Sequence, residues 1–187
     1  MRRRPVAVTL GFEAGLGVVA LLLALLFGLE PWLTLRFTPE ALLHSLLGTV
    51  AMTAAMLTLM QMRWAWIQEL ERIVRDVLLP LFRNAGPIAL GVISLAAGVG
   101  EELLFRGVIQ LGLTGPVGPT AALLLASFLF ALAHAVTIGY FGITFVMGLY
   151  LGWLYQATDN LLVPILVHFL YDWVVLSWYR FGAGSRR

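Results

Sequence analysis

Apolar residues fill most of the chain in long stretches, separated by short polar segments. A stretch of about 20 apolar residues is long enough for a helix to cross a bilayer. Six stretches meet this criterion and are predicted to be transmembrane helices: Val6 to Leu29, Ala41 to Met62, Pro87 to Leu113, Val117 to Val136, Tyr140 to Ala157 and Leu161 to Tyr179. The pattern predicts an all-α fold, a polytopic membrane helix bundle of about six transmembrane helices.

Residues Arg63 to Asn84, between the second and third stretches, follow a different pattern. Apolar residues recur there at helical spacing, while arginines and acidic residues fill the opposite face. This periodicity is typical of an amphipathic helix that lies at the membrane surface, and Trp64 and Trp66 favour the headgroup level. The alternative is an extension of the second or third transmembrane helix into the cytoplasm.

Composition agrees with a membrane protein. Hydrophobic residues make up 60% of the 187 positions and charged residues only 12%, with a mean hydropathy of +0.92. These values are far from those of an ordinary soluble domain. The predicted helices leave no room for a second domain, so we expect a single integral-membrane domain, 1–187, with a candidate catalytic core at 87–180. The absence of cysteine excludes disulfides and thiolate metal ligands.

The distribution of arginines predicts the orientation, because cytoplasmic loops carry the positive excess. With six spans, only Arg36 falls on one side. The other arginines of the loops and termini fall on the opposite side: Arg2, Arg3, Arg4, Arg63, Arg72, Arg75, Arg83, Arg180, Arg186 and Arg187. We therefore expect a multi-pass protein of the cell membrane with both termini in the cytoplasm, and no nucleic-acid binding. A cleaved signal peptide is an alternative interpretation of Met1 to Leu29.

Three of the apolar stretches carry ionisable residues at membrane depth. Such residues are costly within a bilayer, and they usually mark a functional site. The candidates are Glu101, Glu102 and Arg106 in the third stretch, His134 in the fourth, and His168 and Asp172 in the sixth. Their convergence would make the chain an intramembrane enzyme.

The spacing in the third stretch separates the two glutamates. Glu102 and Arg106 are four residues apart, with the acid first, which is the favourable order for an ion pair within a helix. Glu101 points about 100° away from Glu102 and cannot share that arginine in the same manner. It is therefore a candidate general base. Ala97 and Gly98, one turn earlier, leave room beside it for substrate, water or another helix.

The histidines are weaker signals when each is taken alone. His134 shares a helix face with Phe130, and a single histidine on such a face is often a packing residue. His168 and Asp172 are four residues apart, so the carboxylate can orient the imidazole, or both side chains can bind a common ligand.

Other polar residues within the spans are interpreted as structural. Glu13, His44 and Gln156 are expected to snorkel or to form hydrogen bonds between helices. Gly148 and Gly152 form a small-xxx-small pair, which is typical of a helix-packing seam.

Three motifs occur in order: EELLFR from Glu101 to Arg106, FALAH from Phe130 to His134, and HFLYD from His168 to Asp172. This series resembles the EExxxR, FxxxH and HxxxN/D signatures of the CPBP family of CAAX prenyl endopeptidases and bacteriocin-processing intramembrane proteases. The resemblance extends from the third predicted helix to the end of the chain. It implies a helix bundle with a catalytic cavity in the bilayer. It also implies membrane lipids as partners, and lipidated or membrane-associated substrates, including prenylated peptides, cleaved near their C-terminus.

The resemblance also implies roles for the individual residues. Glu101 would activate a water molecule with the help of His134, while Glu102 and Arg106 would form a supporting pair, with some catalytic share for Glu102. His168 and the residue at position 172 would stabilise the oxyanion. The eukaryotic-type pattern has Asn at this last position, and an ionised Asp172 cannot donate a hydrogen bond. Asp172 must therefore be protonated, orient His168, or bind a metal.

A metal-dependent mechanism is the alternative to a glutamate-dependent one. Glu101, His134 and His168 supply the oxygen and nitrogen ligands of a catalytic zinc or another divalent metal. The sequence lacks the His-Glu-x-x-His pattern that identifies many zinc sites. We favour the metal-free mechanism, with no cofactor.

The predicted depth of His134 conflicts with that of Glu101. Glu101 and His168 fall near the middle of the membrane, whereas His134 lies close to the cytoplasmic end of the fourth span. These residues can meet only if the helices tilt, or if the fourth helix extends past Val136 to about Ile138.

Two other classes of protein would also place charged residues inside a bundle. A small proton-coupled transporter is one, although its usual sign, an inverted repeat, is not evident in the sequence. The other is a non-catalytic membrane protein, such as a bacteriocin-immunity factor or a scaffold.

Overall fold

The computed structural model describes residues 4–62 and 64–182. Predictions that involve Arg2, Arg3, Arg63, Arg186 and Arg187 lie outside the described residues. Within this part of the chain no strand occurs, a short 3-10 helix, Pro31–Thr34, lies between the first two α-helical segments, and seven such segments follow one another. They are α1 (Arg4–Phe27), α2 (Pro39–Gln61), α3 (Ala65–Ile73, continued by a π-helical Val74–Leu78 and by Leu79–Phe82), α4 (Pro87–Glu102, continued by a π-helical Leu103–Gln110 and by Leu111–Val117), α5 (Pro119–Ala133), α6 (Ile138–Thr158) and α7 (Leu162–Phe181). The predicted all-α fold is confirmed.

Local sequence explains where several helices begin. Thr38 caps α2, and its hydroxyl accepts a hydrogen bond from the backbone N–H of Ala41 at 3.1 Å. Thr137 caps α6 in the same way, with the N–H of Tyr140 at 3.2 Å. Gly118 has a φ of +83° and forms the sharp turn between α4 and α5. Threonine N-caps and a glycine turn therefore determine where these helices begin.

Five helices are long and apolar enough to cross a membrane: α1, α2, α4, α6 and α7. Their outward faces carry many exposed large apolar side chains, for example Leu22, Leu25 and Leu26 on α1. A surface of this kind is compatible with lipid and not with water. The chain is therefore an integral membrane protein.

The fourth predicted span is shorter than expected. The prediction of Val117 to Val136 was wrong at both ends, because α5 covers only Pro119–Ala133, 15 residues. A helix of that length spans about 22 Å. His134 ends it, since its Nδ1 lies 2.8 Å from the backbone carbonyl of Phe130, in the last turn. The expected extension of this helix past Val136 does not occur.

Helix α3 is amphipathic, as predicted. Ile67, Leu70 and Phe82 are buried against the bundle, whereas Glu69 and Arg72 are exposed. The apolar face thus packs on protein and the charged face points away from it. That α3 lies at the membrane surface remains a prediction.

Polar contacts tie the loops together at each end of the bundle. At the start of α7, Arg36 bonds both the backbone carbonyl and the carboxylate of Asp159, and the Asn160 side chain donates to the carbonyl of Arg36 at 2.8 Å. At the end of α7, Arg180 donates to the carbonyl of Arg83 at 2.6 Å. Arg36 and Arg83 therefore lie at opposite ends, which agrees with the predicted distribution. The compartment that each end faces stays a prediction.

Helix α4 is the centre of the bundle and packs against α1, α5 and α7. Glycines allow the close approach of its neighbours. A Cβ atom on Gly98 would lie 2.9 Å from the carbonyl oxygen of Ile165 on α7, and one on Gly100 would lie 2.5 Å from that of Glu13 on α1. Such small residues let helix backbones approach closely in membrane bundles. The two glycines thus bring α1 and α7 against α4 just before Glu101.

We expect Gly100→Ala to destabilise the protein by about 1–3 kcal/mol, because the added methyl would overlap backbone and force α1 away. Gly15→Ala on α1 is the matched control, since a Cβ there meets no atom within 4 Å. It should stabilise the protein by roughly 0.5–1 kcal/mol through helix propensity. Denaturation in mixed micelles measures both changes. Equal changes in stability for the two variants would contradict the close contact of α1 and α4 at Gly100.

Candidate active site

The six predicted site residues come together in the core of the bundle. They are Glu101, Glu102 and Arg106 on α4, His134 at the end of α5, and His168 and Asp172 on α7. Glu101, Glu102, Arg106 and His168 are each at least nine-tenths buried. The cluster consists of two pairs of carboxylate and imidazole, arranged around one arginine.

Glu102 and Arg106 form the predicted ion pair. Nη1 of Arg106 donates to Oε1 of Glu102 at 2.8 Å, and neither side chain is more than 1% exposed. Nη2 donates to the backbone carbonyl of Gly148 on α6 at 3.0 Å, and the guanidinium lies over the ring of Phe130, 4.6 Å from its centroid. A buried charge pair is tolerated when its remaining donors are satisfied in this way.

Glu102 also binds His168, a contact that the sequence did not predict. Nδ1 of His168 lies 2.8 Å from the same oxygen, Oε1, that accepts from Arg106. Glu102 therefore connects α4 with α7 and fixes the orientation of the imidazole. Gly98 was the signal that could have indicated this contact, because the space beside it is filled by α7.

The second nitrogen of His168 faces Asp172. Its Nε2 lies 3.5 Å from Oδ2 of Asp172, whose side chain is 30% exposed. The predicted pairing of these residues along one face of α7 is confirmed. The imidazole thus stands between two carboxylates, one buried and one accessible.

Glu101 and His134 form the second pair. Oε2 of Glu101 lies 3.4 Å from Nε2 of His134, within the range of an ion pair, and it accepts no hydrogen bond. Nδ1 of His134 faces the Phe130 carbonyl at 2.8 Å and must donate to it, since a carbonyl oxygen only accepts. Nε2 and the carboxylate would both be acceptors unless a proton lies between them. A hydrogen bond between Nε2 and the carboxylate therefore requires a proton on one of the two groups.

Two polar side chains from the π-helical part of α4, Arg106 and Gln110, form hydrogen bonds with backbone carbonyls of α6. Gln110, one turn after Arg106, donates to the carbonyl of Gly152 at 3.0 Å. Gly148 packs against Ser127 of α5, and a Cβ atom there would lie 3.1 Å from Ser127 Cα. The predicted packing seam at Gly148 and Gly152 is confirmed. Such π-helical turns are frequent at functional sites.

Three further polar residues were expected to be structural. Gln156 donates to the carbonyl of Pro119 on α5 at 2.8 Å, as expected for a bond between helices, and His44 is exposed on α2. The prediction for Glu13 was wrong. Glu13 is only 8% exposed, and its Oε2 has no hydrogen-bond partner.

The cluster does not fit the metal site that the sequence allowed. Within residues 4–62 and 64–182, no three side chains of His, Asp or Glu are arranged to hold a metal ion. Nδ1 of His168 is bonded to Glu102, whereas Nε2 of His134 faces Glu101. The expected ligands Glu101, His134 and His168 are thus divided between two separate pairs.

An apolar cavity of about 880 Å³ lies between α2, α3 and α6 and reaches α7. Met52, Met56 and Met147 line it with other apolar residues, and Trp66 covers one side. Tyr171, next to Asp172 in the sequence, also lines the cavity. The cavity therefore reaches α7 one residue before Asp172, and none of the six cluster residues lines it.

These features define a polytopic membrane protein that buries two carboxylate–imidazole pairs in its helix bundle. Residues 83–174 match the model of the family described as Type II CAAX prenyl endopeptidase Rce1-like. This match covers 92 of the 187 residues, and over that part of the chain it confirms the resemblance to the CPBP family. The matched region contains all six candidate residues and not Glu13. No curated protein and no solved structure matches the chain significantly.

Proposed function

We propose that this protein is an intramembrane endopeptidase that cleaves a peptide bond near the C-terminus of lipidated or membrane-associated substrates by a metal-free mechanism. The observation that carries the proposal is the pair of Glu101 and His134, 3.4 Å apart in a buried site. Glu102 is already engaged by Arg106 and His168. Glu101 is therefore the carboxylate that is free to react.

Glu101 acts as the general base. It takes one proton from a water molecule, and the resulting hydroxide adds to the carbonyl carbon of the scissile bond. Glu101 then returns this proton to the leaving nitrogen as the carbon–nitrogen bond breaks. The products are a carboxylic acid and an amine. His134 faces the Glu101 carboxylate and keeps it in place.

His168 stabilises the oxyanion of the tetrahedral intermediate. Its Nδ1 is fixed by Glu102, so Nε2 is the nitrogen that can donate a hydrogen bond to the developing charge. The contact of Nε2 with Asp172 is long, 3.5 Å, and an oxyanion can replace it. Asp172 therefore orients His168 before the substrate binds.

The cavity supports an apolar substrate. Its methionine-rich lining suits a flexible hydrocarbon chain, because methionine side chains adapt to irregular apolar shapes. Burial of such a chain contributes about 0.8 kcal/mol per CH₂ group. A lipid group in the cavity would hold the adjoining peptide near His168.

The test is cleavage of a quenched fluorescent peptide by the detergent-purified protein. Prenylated and unprenylated forms of one peptide are compared, each with and without a strong chelator. We expect kcat/KM to be at least about tenfold higher for the prenylated form, because remote binding energy assists the reaction. Chelation should leave both rates unchanged.

Each alternative gives a different result. Loss of cleavage on chelation, with recovery on adding zinc, would contradict the metal-free mechanism. Equal rates for the two peptides would contradict the lipid-binding role of the cavity. A folded protein that cleaves neither form would favour a scaffold or an immunity factor.

A further inference from the structure

Glu13 is a buried carboxyl on the helix that is otherwise most exposed to lipid. Its neighbour Phe12 is 63% exposed, whereas Glu13 itself is 8% exposed. Its Oε2 is buried without a hydrogen-bond partner. Burial of such a carboxyl within a membrane costs free energy. Its presence therefore usually indicates a function.

The crossing of α1 and α4 places Glu13 beside the catalytic cluster. Gly17 and Gly100 allow the two backbones to touch, and a Cβ atom on Gly100 would lie 2.5 Å from the carbonyl oxygen of Glu13. Gly100 directly precedes Glu101. The Glu13 carboxyl consequently lies within electrostatic range of Glu101. Glu101 interacts with it more strongly than the other charged groups do.

The groups that face Glu13 come from three helices. Glu101 lies on α4, and His134 ends α5. His168 and Asp172, on α7, also lie within electrostatic range of Glu13. Each of these four residues belongs to the cluster described above. Glu13 therefore completes the cluster from the side of α1.

We propose that Glu13 is an additional catalytic residue, whose carboxyl binds the attacking water together with Glu101. The inference rests on the proposed function. Two carboxyls that are close together in a medium of low dielectric do not both ionise readily, so the pair shares one proton. Glu101 removes one hydrogen of the water as a proton, and Glu13 accepts a hydrogen bond from the other. The oxygen lone pair then points to the scissile carbonyl, and Glu13 loses and gains no proton.

A purely structural role makes a different prediction. An unsatisfied buried carboxyl destabilises a protein, so its removal would then raise stability and leave the kinetics unchanged. Kinetic constants, a pH profile and the titration of the pair distinguish the two roles.

The first experiment compares Glu13→Gln with the unaltered protein in peptide cleavage over a range of pH. We expect kcat to fall about 10²-fold with little change in KM, and one ionisation to disappear from the pH profile. Glu30→Gln, which removes an exposed carboxyl just after α1, is the control and should leave both unchanged. An unaltered kcat and pH profile in Glu13→Gln would overturn the proposal.

The second experiment does not depend on cleavage. Infrared spectra resolve the C=O band of protonated carboxyls, and Glu13→Gln identifies the band of Glu13. In Glu101→Gln, this band should titrate with a midpoint displaced by about one pH unit or more. An undisplaced midpoint would overturn the pairing. If the unaltered protein cleaves no peptide but the displacement occurs, the proposed function fails and the carboxyl pair stands.

Discussion

Replacing Glu101 with glutamine lowers kcat for peptide cleavage about 10³-fold or more, since glutamine keeps the size of the side chain but cannot take a proton. The variant should still fold, because Arg106 directs its hydrogen bonds to Glu102 and Gly148 and not to Glu101. Steady-state kinetics in detergent measures the loss. Thermal unfolding of the same sample checks the fold.

Glu69→Gln is the matched control for Glu101→Gln. Glu69 is exposed on α3, on the face that points away from the bundle, so its variant should cleave at the unaltered rate. Retained activity in Glu101→Gln would contradict the proposed base. The comparison also separates an enzyme from a scaffold, because a scaffold would tolerate both substitutions equally.

Replacing Arg106 with methionine should destabilise the protein by about 3–5 kcal/mol, because Glu102 would then be buried without its cationic partner. His168 would keep one hydrogen bond to Glu102 but could not satisfy both carboxylate oxygens. Denaturation in mixed micelles, followed by circular dichroism, measures the change in the free energy of unfolding.

Two comparisons test this interpretation of Arg106. The double variant Arg106→Met, Glu102→Gln removes both charges and should recover most of the lost stability. Arg75→Met removes the partly exposed pair with Glu71, 3.7 Å apart, and the contact with the Tyr179 ring, 6.0 Å away, and it should cost no more than about 1 kcal/mol. A similar small cost for Arg106→Met would show that the buried pair contributes little.

Spacing along the sequence predicted the contacts within helices but not the bond between Glu102 and His168. The pairs Glu102–Arg106 and His168–Asp172 were predicted because four residues bring side chains to one face of any α-helix. The bond between Glu102 and His168 depends on how α4 and α7 pack, which spacing along one helix does not determine. The sequence did not determine whether substrate, water or another helix fills the space at Gly98. In the structure, α7 fills it.

Glu13 shows a second limit of the sequence. It stands alone in its predicted span, and the motifs begin almost 90 residues later, so nothing in its surroundings connected it with them. The connection is made by contact of backbones at Gly17 and Gly100. A lone acidic residue within a span was therefore interpreted as structural although it lies beside the site.

The early end of α5 also affects the lipid around the protein. Leu125, Phe128 and Leu132 are exposed along α5, so acyl chains contact a helix that is only 15 residues long. The hydrocarbon layer is about 30 Å thick, and α5 covers about 22 Å of it, a difference that the bilayer meets by becoming thinner. Headgroups and water would then approach His134, where α5 stops. Under the proposed function, the water for hydrolysis would enter the site through this thinned part of the bilayer and not through a pore across it.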